Sequence, residues 1–427
     1  MKISAKKLIS LLLSVLLVFS CFSFAAGAET KETSSSESTG FTADDFLKVK
    51  GRKMYNAKGE EVVLHGVNLG GWLIREDWLC PDQIPDGVQY DNETVLEILT
   101  ERFGLEAAYE LINIYQENWI TEYDLDQIKE MGFNCVRVPF WYRNFYYDDD
   151  GTKILDENGE WDFSVLDWVV EECSKRELYV ILDMHGAVGS QSDAPHSGRA
   201  NGGAQLYEDS EQGERYRELT DELWTAVASR FNGNPAVAMY DLLNEPMCDV
   251  DCGEITRRIN NESIYTRLYN TVRAADSDHI ITMECIWTGF ALPQSFFKGW
   301  TNVVYQVHFY NNSNFIFNFF LLLTMAIHPN VPLMVGEFYP HQKTTWENCF
   351  NTMNKLNYSW MLWTYKATGH GMWSSDWCIY GSKDGFWRAN LQNGTYEEIA
   401  EAWGERVRTE NGFQDTGHYS ANVQDFV

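Results

Sequence analysis

Eight short apolar runs recur along this chain, each followed by helical spacing or a long loop, and that alternation restricts the fold more than any other property. The runs are VVLHGVNLG (62–70), NCVRVPFW (134–141), YVILDMHG (179–186), VAMYDLLNEP (237–246), HIITMEC (279–285), VVYQVHFY (303–310), PLMVGEFY (332–339) and YSWMLWTYK (358–366). Helical spacing occupies Ser164–Glu177, Glu211–Phe231, Ile255–Ala275, Thr344–Leu356 and Tyr396–Arg408. Strands that are apolar almost throughout belong to a parallel sheet covered by helices, and closing such a sheet on itself leaves no exposed edge. The expected fold is therefore a single α/β domain, a (β/α)8 TIM barrel. An open doubly wound sheet is the alternative, but it would carry a phosphate loop after its first strand, and GVNLGGW is not GxGxxG.

The amino terminus precedes this pattern. MKISAKK is a basic head, LISLLLSVLLVFSCFSF an apolar run and Ala26-Gly27-Ala28 a small-residue cleavage site, so residues 1–28 are expected to be a secretory signal peptide cut near Ala28. A lipid-modified Cys21 is the weaker alternative, because the bulky Phe19 fits a lipobox poorly. Residues 29–40 (ETKETSSSESTG) lack apolar side chains and read as a linker; residues 41–427 are then the folded domain. Phe46–Val49 and Val62–Leu64 flank the turn-rich GRKMYNAKGEE, which predicts a short N-terminal hairpin.

Without the leader's three lysines, 30 basic residues face 62 acidic ones, a net of −32. Such a field repels nucleic acid and anionic lipid and suits a secreted protein, expected to be a monomer, that acts on a neutral partner. The eight cysteines beyond Cys21 are dispersed, without CxxC or a Cys/His cluster, so buried thiols are expected; only Cys248 and Cys252 are spaced to close a small loop. The run FIFNFFLLLTMAI (315–327) is shorter than the ~20 residues that span a bilayer. It is expected to be a buried barrel helix, with an apolar lip for a lipid-bearing substrate as the alternative.

In a barrel of this kind, chemistry collects at the carboxyl ends of the strands. Those ends carry Arg137, Asp183 with His185, Asn244 with Glu245, His308 with Tyr310, Glu337, and Trp363 with Tyr365 and Lys366. Singly, each is better explained as a satisfied structural group, but an apolar core does not tolerate so many polar side chains at one end. Glu245 and Glu337 close strands four and seven, from where they can face each other. Retaining glycosidases need two carboxyl groups ~5–5.5 Å apart, with their proton affinities driven apart. Arg137 and the Tyr310 hydroxyl are natural partners for one ionised carboxylate, which makes Glu337 the expected nucleophile; Glu245, less compensated, is expected to keep its proton as acid/base. No HxH, HExxH or ligand-spaced Asp cluster calls for a metal or other cofactor, and no GxSxG elbow supports an esterase. Aromatic content is 15%, and Trp72, Trp78, Trp141, Trp287, Trp363, Trp373, Trp377 and Trp387 fall at or after strand ends, as sugar platforms would. Trp363 is expected beneath the reacting sugar.

The ordered set Arg137, His185, Asn244-Glu245-Pro246, His308-x-Tyr310, Glu337 and Trp363 resembles glycoside hydrolase family 5 over residues 45–410. The resemblance implies a retaining mechanism with Glu245 as acid/base and Glu337 as nucleophile. It further implies that Arg137 and Tyr310 hold the nucleophile, that Asn244 and His185 contact sugar hydroxyls, and that His308 lies beside the acid/base. GVNLGGWLIRE (66–76) and DMHGAVGSQ (183–191) are similar to the exo-β-1,3-glucanase branch, in which the glutamate matching Glu76 helps close the terminal sugar pocket. Val188, His196-Ser197-Gly198 and WTYKAT (363–368) depart from that branch and leave linkage and exo action open. The expected function is hydrolysis of a β-linked glucan by double displacement. An endo-β-1,4-glucanase, a glycolipid β-glucosidase and a non-catalytic sugar-binding protein are the alternatives.

Overall fold

The computed structural model describes residues 40–200, 202–246, 253–286, 289–339, 342–369, 378–383 and 387–427. The expected leader, the linker up to residue 39, Cys248, Cys252, Trp287, Trp373 and Trp377 lie outside the described residues. Each apolar run supplies one barrel strand: β1 His65–Asn68, β2 Cys135–Trp141, β3 Tyr179–Gly186, β4 Val237–Asp241, β5 Ile280–Ile286, β6 Val303–Phe309, β7 Leu333–Phe338 and β8 Ser359–Leu362. All neighbours are parallel, and β8 closes on β1 through Trp360 opposite His65. Both faces of β2, β3, β6 and β7 are buried, which is why these runs show no polar alternation.

The predicted hairpin is a three-stranded antiparallel sheet, Lys48–Lys50, Lys53–Tyr55 and Glu61–Val62. The supposed turn contains the middle strand because Met54 points inward between exposed Lys53 and half-buried Tyr55. Met54, Leu47 and Leu64 pack on Cys135, Tyr179, Met239, Ile280, Val304, Met334 and Met361, residues at or near the starts of the strands. The small sheet thus caps the amino end of the barrel with apolar side chains.

The expected helices appear as α4 Ser164–Lys175, α5 Glu211–Phe231, α6 Glu254–Ala275, α9 Lys343–Lys355 and α10 Tyr396–Glu401. Between β1 and β2 run three more, α1 Asn92–Phe103, α2 Leu105–Trp119 and α3 Glu122–Glu130, started by the Asp91 cap on Thr94 N–H and the Thr121/Asp124 capping box. Among the described residues, β5 is followed by a 3-10 turn, Gly289–Ala291, and the four-residue α7, Ser295–Lys298.

The expectation of a buried helix over 315–327 needs correction. Helix α8, Asn314–Ile327, buries only Phe317, Leu321 and Thr324, and Phe315 is 75% exposed. One stripe, with Ile316 and Met325 half-buried against the core beside it, suffices to dock it, and Phe315 and Phe319 face outward. No helix among the described residues is long and apolar enough to cross a membrane. Cys80, Cys135, Cys173, Cys285, Cys349 and Cys378 are buried, in line with the expected buried thiols.

Candidate active site

Arg137 is the hub of the barrel's carboxyl end. Its side chain is fully buried, and every nitrogen is engaged: Nε donates to Asp241 Oδ2 at 2.9 Å, Nη1 to Asn68 Oδ1 at 3.0 Å and Glu337 Oε1 at 2.7 Å, and Nη2 to Asn244 Oδ1 at 3.0 Å. Nη2 also lies 3.0 Å from Asp183 Oδ2 and 3.5 Å from Glu284 Oε1. A guanidinium suits this place because its planar fork serves several acceptors while remaining charged. Burial pushes the Asp183 and Asp241 carboxyls up to about 7 despite the opposing pull of Arg137.

Glu245 and Glu337 meet as the strand positions predict. A carboxylate oxygen of each and a ring nitrogen of His308 lie within 4.8 Å of one another. The register shift between Val307 and His308 sets His308 opposite Glu337 on the adjoining strand. His308 Nδ1 is 2.8 Å from Glu245 Oε1, its Nε2 is 2.7 Å from Glu284 Oε2, and the Tyr310 hydroxyl donates to Glu337 Oε2. Glu245, with φ of 38°, is held in the left-handed region while its N–H donates to Glu284 Oε1 at 2.8 Å.

The proton state of Glu245 departs from expectation. Burial pushes its carboxyl up, but the hydrogen bond with His308, together with His196 (Nε2 3.7 Å from Oε2), pulls it down to about 2. Glu245 is therefore better compensated than the sequence suggests, because His308 reaches it directly. The three-residue group has the donor types of a cation site, yet both ring nitrogens of His308 already face carboxylates.

The remaining expected residues surround this pair. His185, on β3, bonds through Nδ1 to Asp183 Oδ2 at 2.6 Å, and burial keeps it neutral by lowering its proton affinity well below the usual range. Its ring stacks on Trp363 at 5.5 Å and 10°. Gln191 donates to the carbonyls of His185 and Asn244 at 2.7 and 2.8 Å, locking the turn that carries Glu245. Glu76 accepts from Trp78 Nε1 at 3.2 Å; burial first, then the nearby Glu337 charge, raise its carboxyl to about 8.

Three strand-end residues lie elsewhere. The Tyr365 hydroxyl donates to Asp124, the Lys366 ammonium donates to the carbonyls of Trp119 and Val407, and Trp72 donates to Gln116 O within the packed core. The sequence reading missed Asn68, Asp241, Glu284 and Gln306, whose amide donates to Asp241 Oδ2 at 2.5 Å. The signal was available: each is a polar residue inside an apolar strand, the same feature that singled out Arg137.

Residues 96–369 match the model of the cellulase family, glycosyl hydrolase family 5, and the chain belongs to that family. A beta-xylosidase of Phanerodontia chrysosporium is 30% identical over 270 residues, 62% of this chain and 52% of that protein. A glucan 1,3-beta-glucosidase of Candida oleophila is 27% identical over 261 residues, 58% of each. The chain thus spans a little over half the length of these relatives. Among solved structures, an endogalactoceramidase is similar with a TM-score of 0.56 at 18% identity over 84% of each chain. The rutinosidase from Aspergillus niger gives 0.54 at 16%, covering 80% of this chain and 98% of that one. At these identities the likeness shows the (β/α)8 barrel.

Proposed function

We propose that this chain is a secreted, monomeric, retaining hydrolase of a neutral β-linked glucan, with Glu337 as nucleophile and Glu245 as acid/base. The observation that carries the reading is the approach of the two carboxylates to within 4.8 Å. That spacing suits direct attack on the anomeric carbon; an inverting pair stands ~6.5–9.5 Å apart to seat a water. Arg137 and Tyr310 each bond one oxygen of Glu337, which fixes the direction of its carboxyl group, as a nucleophile requires. In the first half-reaction Glu337 attacks while the Glu245 carboxyl protonates the leaving oxygen; in the second, Glu245 deprotonates the incoming water. Trp363 offers an apolar face to the sugar, and His185, Asn244 and Glu76 offer polar contacts to its hydroxyls.

The relatives' names, glucan 1,3-beta-glucosidase and beta-xylosidase, favour a β-1,3-glucan or a short β-glycoside over cellulose. The test is product analysis on laminarin, lichenan, carboxymethylcellulose and mannan, with Glu337→Ala beside the wild type. Glucose released from laminarin, and its loss in the variant, is the expected result; unchanged hydrolysis by the variant contradicts the assignment. The outward apolar face of α8, with Phe315 75% exposed, favours a second reading, a hydrolase of glucosyl lipids. That reading requires faster cleavage of detergent-dispersed glucosyl lipid than of any polysaccharide.

A further inference from the structure

Helix α2 presents two stripes. Ala108, Leu111, Tyr115 and Trp119 are buried, while Tyr109, Ile112, Asn113 and Gln116, spaced i, i+3, i+4 and i+7, line one wall of a groove of 690 Å³. The loop after β2, through Arg143 and Tyr147, and the first turns of α4, through Val165 and Trp168, line it as well. All of its lining comes from residues 72–168, Arg408 and Glu410, so it includes neither proposed catalytic glutamate, nor His185, His308 or Trp363.

This groove is built rather than left over. The Tyr109 hydroxyl reaches from α2 to the carbonyls of Arg143 and Tyr146, 3.3 Å from each, and the buried Trp72 donates Nε1 to Gln116 O at 2.7 Å. Trp168 stands edge-on to Trp72 at 5.9 Å, and Tyr147 edge-on to Tyr109 at 4.9 Å. Trp168, Tyr109 and Tyr147 are all half-buried, so part of each ring stays open to solvent. Polar groups in the lining lack partners: among the described residues, the side-chain amides of Asn113 and Gln116 make no hydrogen bond, and the buried Arg143 Nε has no acceptor. A buried donor left unpaired costs about 1–3 kcal/mol, which a bound acceptor would offset.

Open aromatic surface beside unpaired amide and guanidinium groups suits a pyranose, which sets an apolar ring face against a flat side chain and offers hydroxyls to donors and acceptors around it. The volume falls within the ~300–1,000 Å³ of small-ligand sites. Arginines and acids nearly balance along the lining, so an uncharged ligand meets little net field there, although the chain as a whole is strongly acidic.

Resting on the reading that the substrate is a neutral β-linked glucan, we propose that this groove is a second binding site for the same polymer, separate from the atoms that cleave it. Trp168 and Tyr147 supply stacking surfaces, and Asn113, Gln116 and Arg143 Nε supply hydrogen bonds to hydroxyls. A chain long enough to occupy both sites is retained by its two attachments, whereas a small glucoside gains nothing from the second.

The test begins with binding. The full chain carrying Glu337→Ala is titrated calorimetrically with laminarihexaose, and two sites per chain are expected. Adding Asn113→Arg, which fills the groove from an exposed helical position, or Trp168→Ala, which removes a stacking surface, should weaken one of the two at least about tenfold and spare the other. In the otherwise wild-type enzyme the same substitutions should leave kcat/KM for phenyl β-glucoside within about twofold and lower it for laminarin at least about threefold. A single site, or two sites that neither substitution weakens, overturns the proposal; so does an equal fall on both substrates. If Trp168→Ala does not fold, Asn113→Arg decides alone. If the wild type cleaves neither substrate, the proposed function fails, and the titration, repeated with cellohexaose, still judges the groove: binding weakened by Asn113→Arg sustains it, and no binding of either sugar overturns it.

Discussion

Arg137 Nη1 stands 2.7 Å from Glu337 Oε1 inside a cage in which Nε binds Asp241 at 2.9 Å, so the proposed nucleophile is fixed by a wholly buried cation. Removing that cation leaves several carboxyl groups in a dry site. Arg137→Ala should cost about 3–5 kcal/mol of stability, read by chemical denaturation. Arg137→Lys keeps the charge but cannot serve four acceptors at once, so it should retain more of the fold while kcat/KM falls by at least about 100-fold.

Tyr310→Phe removes one hydrogen bond from Glu337 Oε2 and little volume. A hydrogen bond to a charged group contributes about 1.5–3 kcal/mol, which corresponds to a loss in kcat of roughly 10- to 150-fold. The expected signature is a lower kcat with little change in KM, measured on an aryl β-glucoside. A variant with wild-type kcat would remove Tyr310 from the account.

Legibility in the sequence followed the kind of information each element carries. The eight strands were visible because a parallel strand buried on both faces has to be apolar along its length, and β3 (YVILDMHG) is buried at every position. Glu245 and Glu337 stood out because each is a carboxylate at the carboxyl end of such a run. The contacts that set the proton state of Glu245 were not legible: they depend on a one-residue register shift at Val307/His308 and on Glu284 from another strand. The exposure of α8 was missed for a different reason. Hydrophobicity alone gives no sign of which side of a helix that is apolar nearly all round finds a neighbour.

Gly336 precedes the proposed nucleophile, and a Cβ there would meet Gln306 Oε1 at 1.7 Å, with His308 Nε2 at 3.2 Å. Gln306 is fully buried and tied to Asp241. Gly336→Ala should therefore destabilise the protein by about 1–3 kcal/mol and disturb His308 as well. Denaturant unfolding together with kcat/KM measures both effects; wild-type values in both would contradict the packing described.

Glu76 gives a pH signature. Its carboxyl is raised by burial from 4.5 to about 8, so between these values the folded protein keeps a proton that the unfolded chain loses. Stability contributed by the protonated form is therefore present below pH 4.5 and declines as pH rises through about 8. Glu76→Gln removes the titration. Relative to wild type, the variant should gain stability between pH 4.5 and pH 8, on the order of 1 kcal/mol once solvent screening at its partly open face is counted. Unfolding midpoints of both proteins at the two pH values check the sign.

The central claim is that Glu337 forms a covalent bond to the sugar, and trapping tests it most directly. Incubation with 2,4-dinitrophenyl 2-deoxy-2-fluoro-β-glucoside, followed by proteolysis and mass spectrometry, should find one fluoroglucosyl group per chain on the peptide that contains Glu337. Labelling at Glu245 instead, or hydrolysis of β-glucosides that releases the α-anomer first with no adduct formed, would contradict the account.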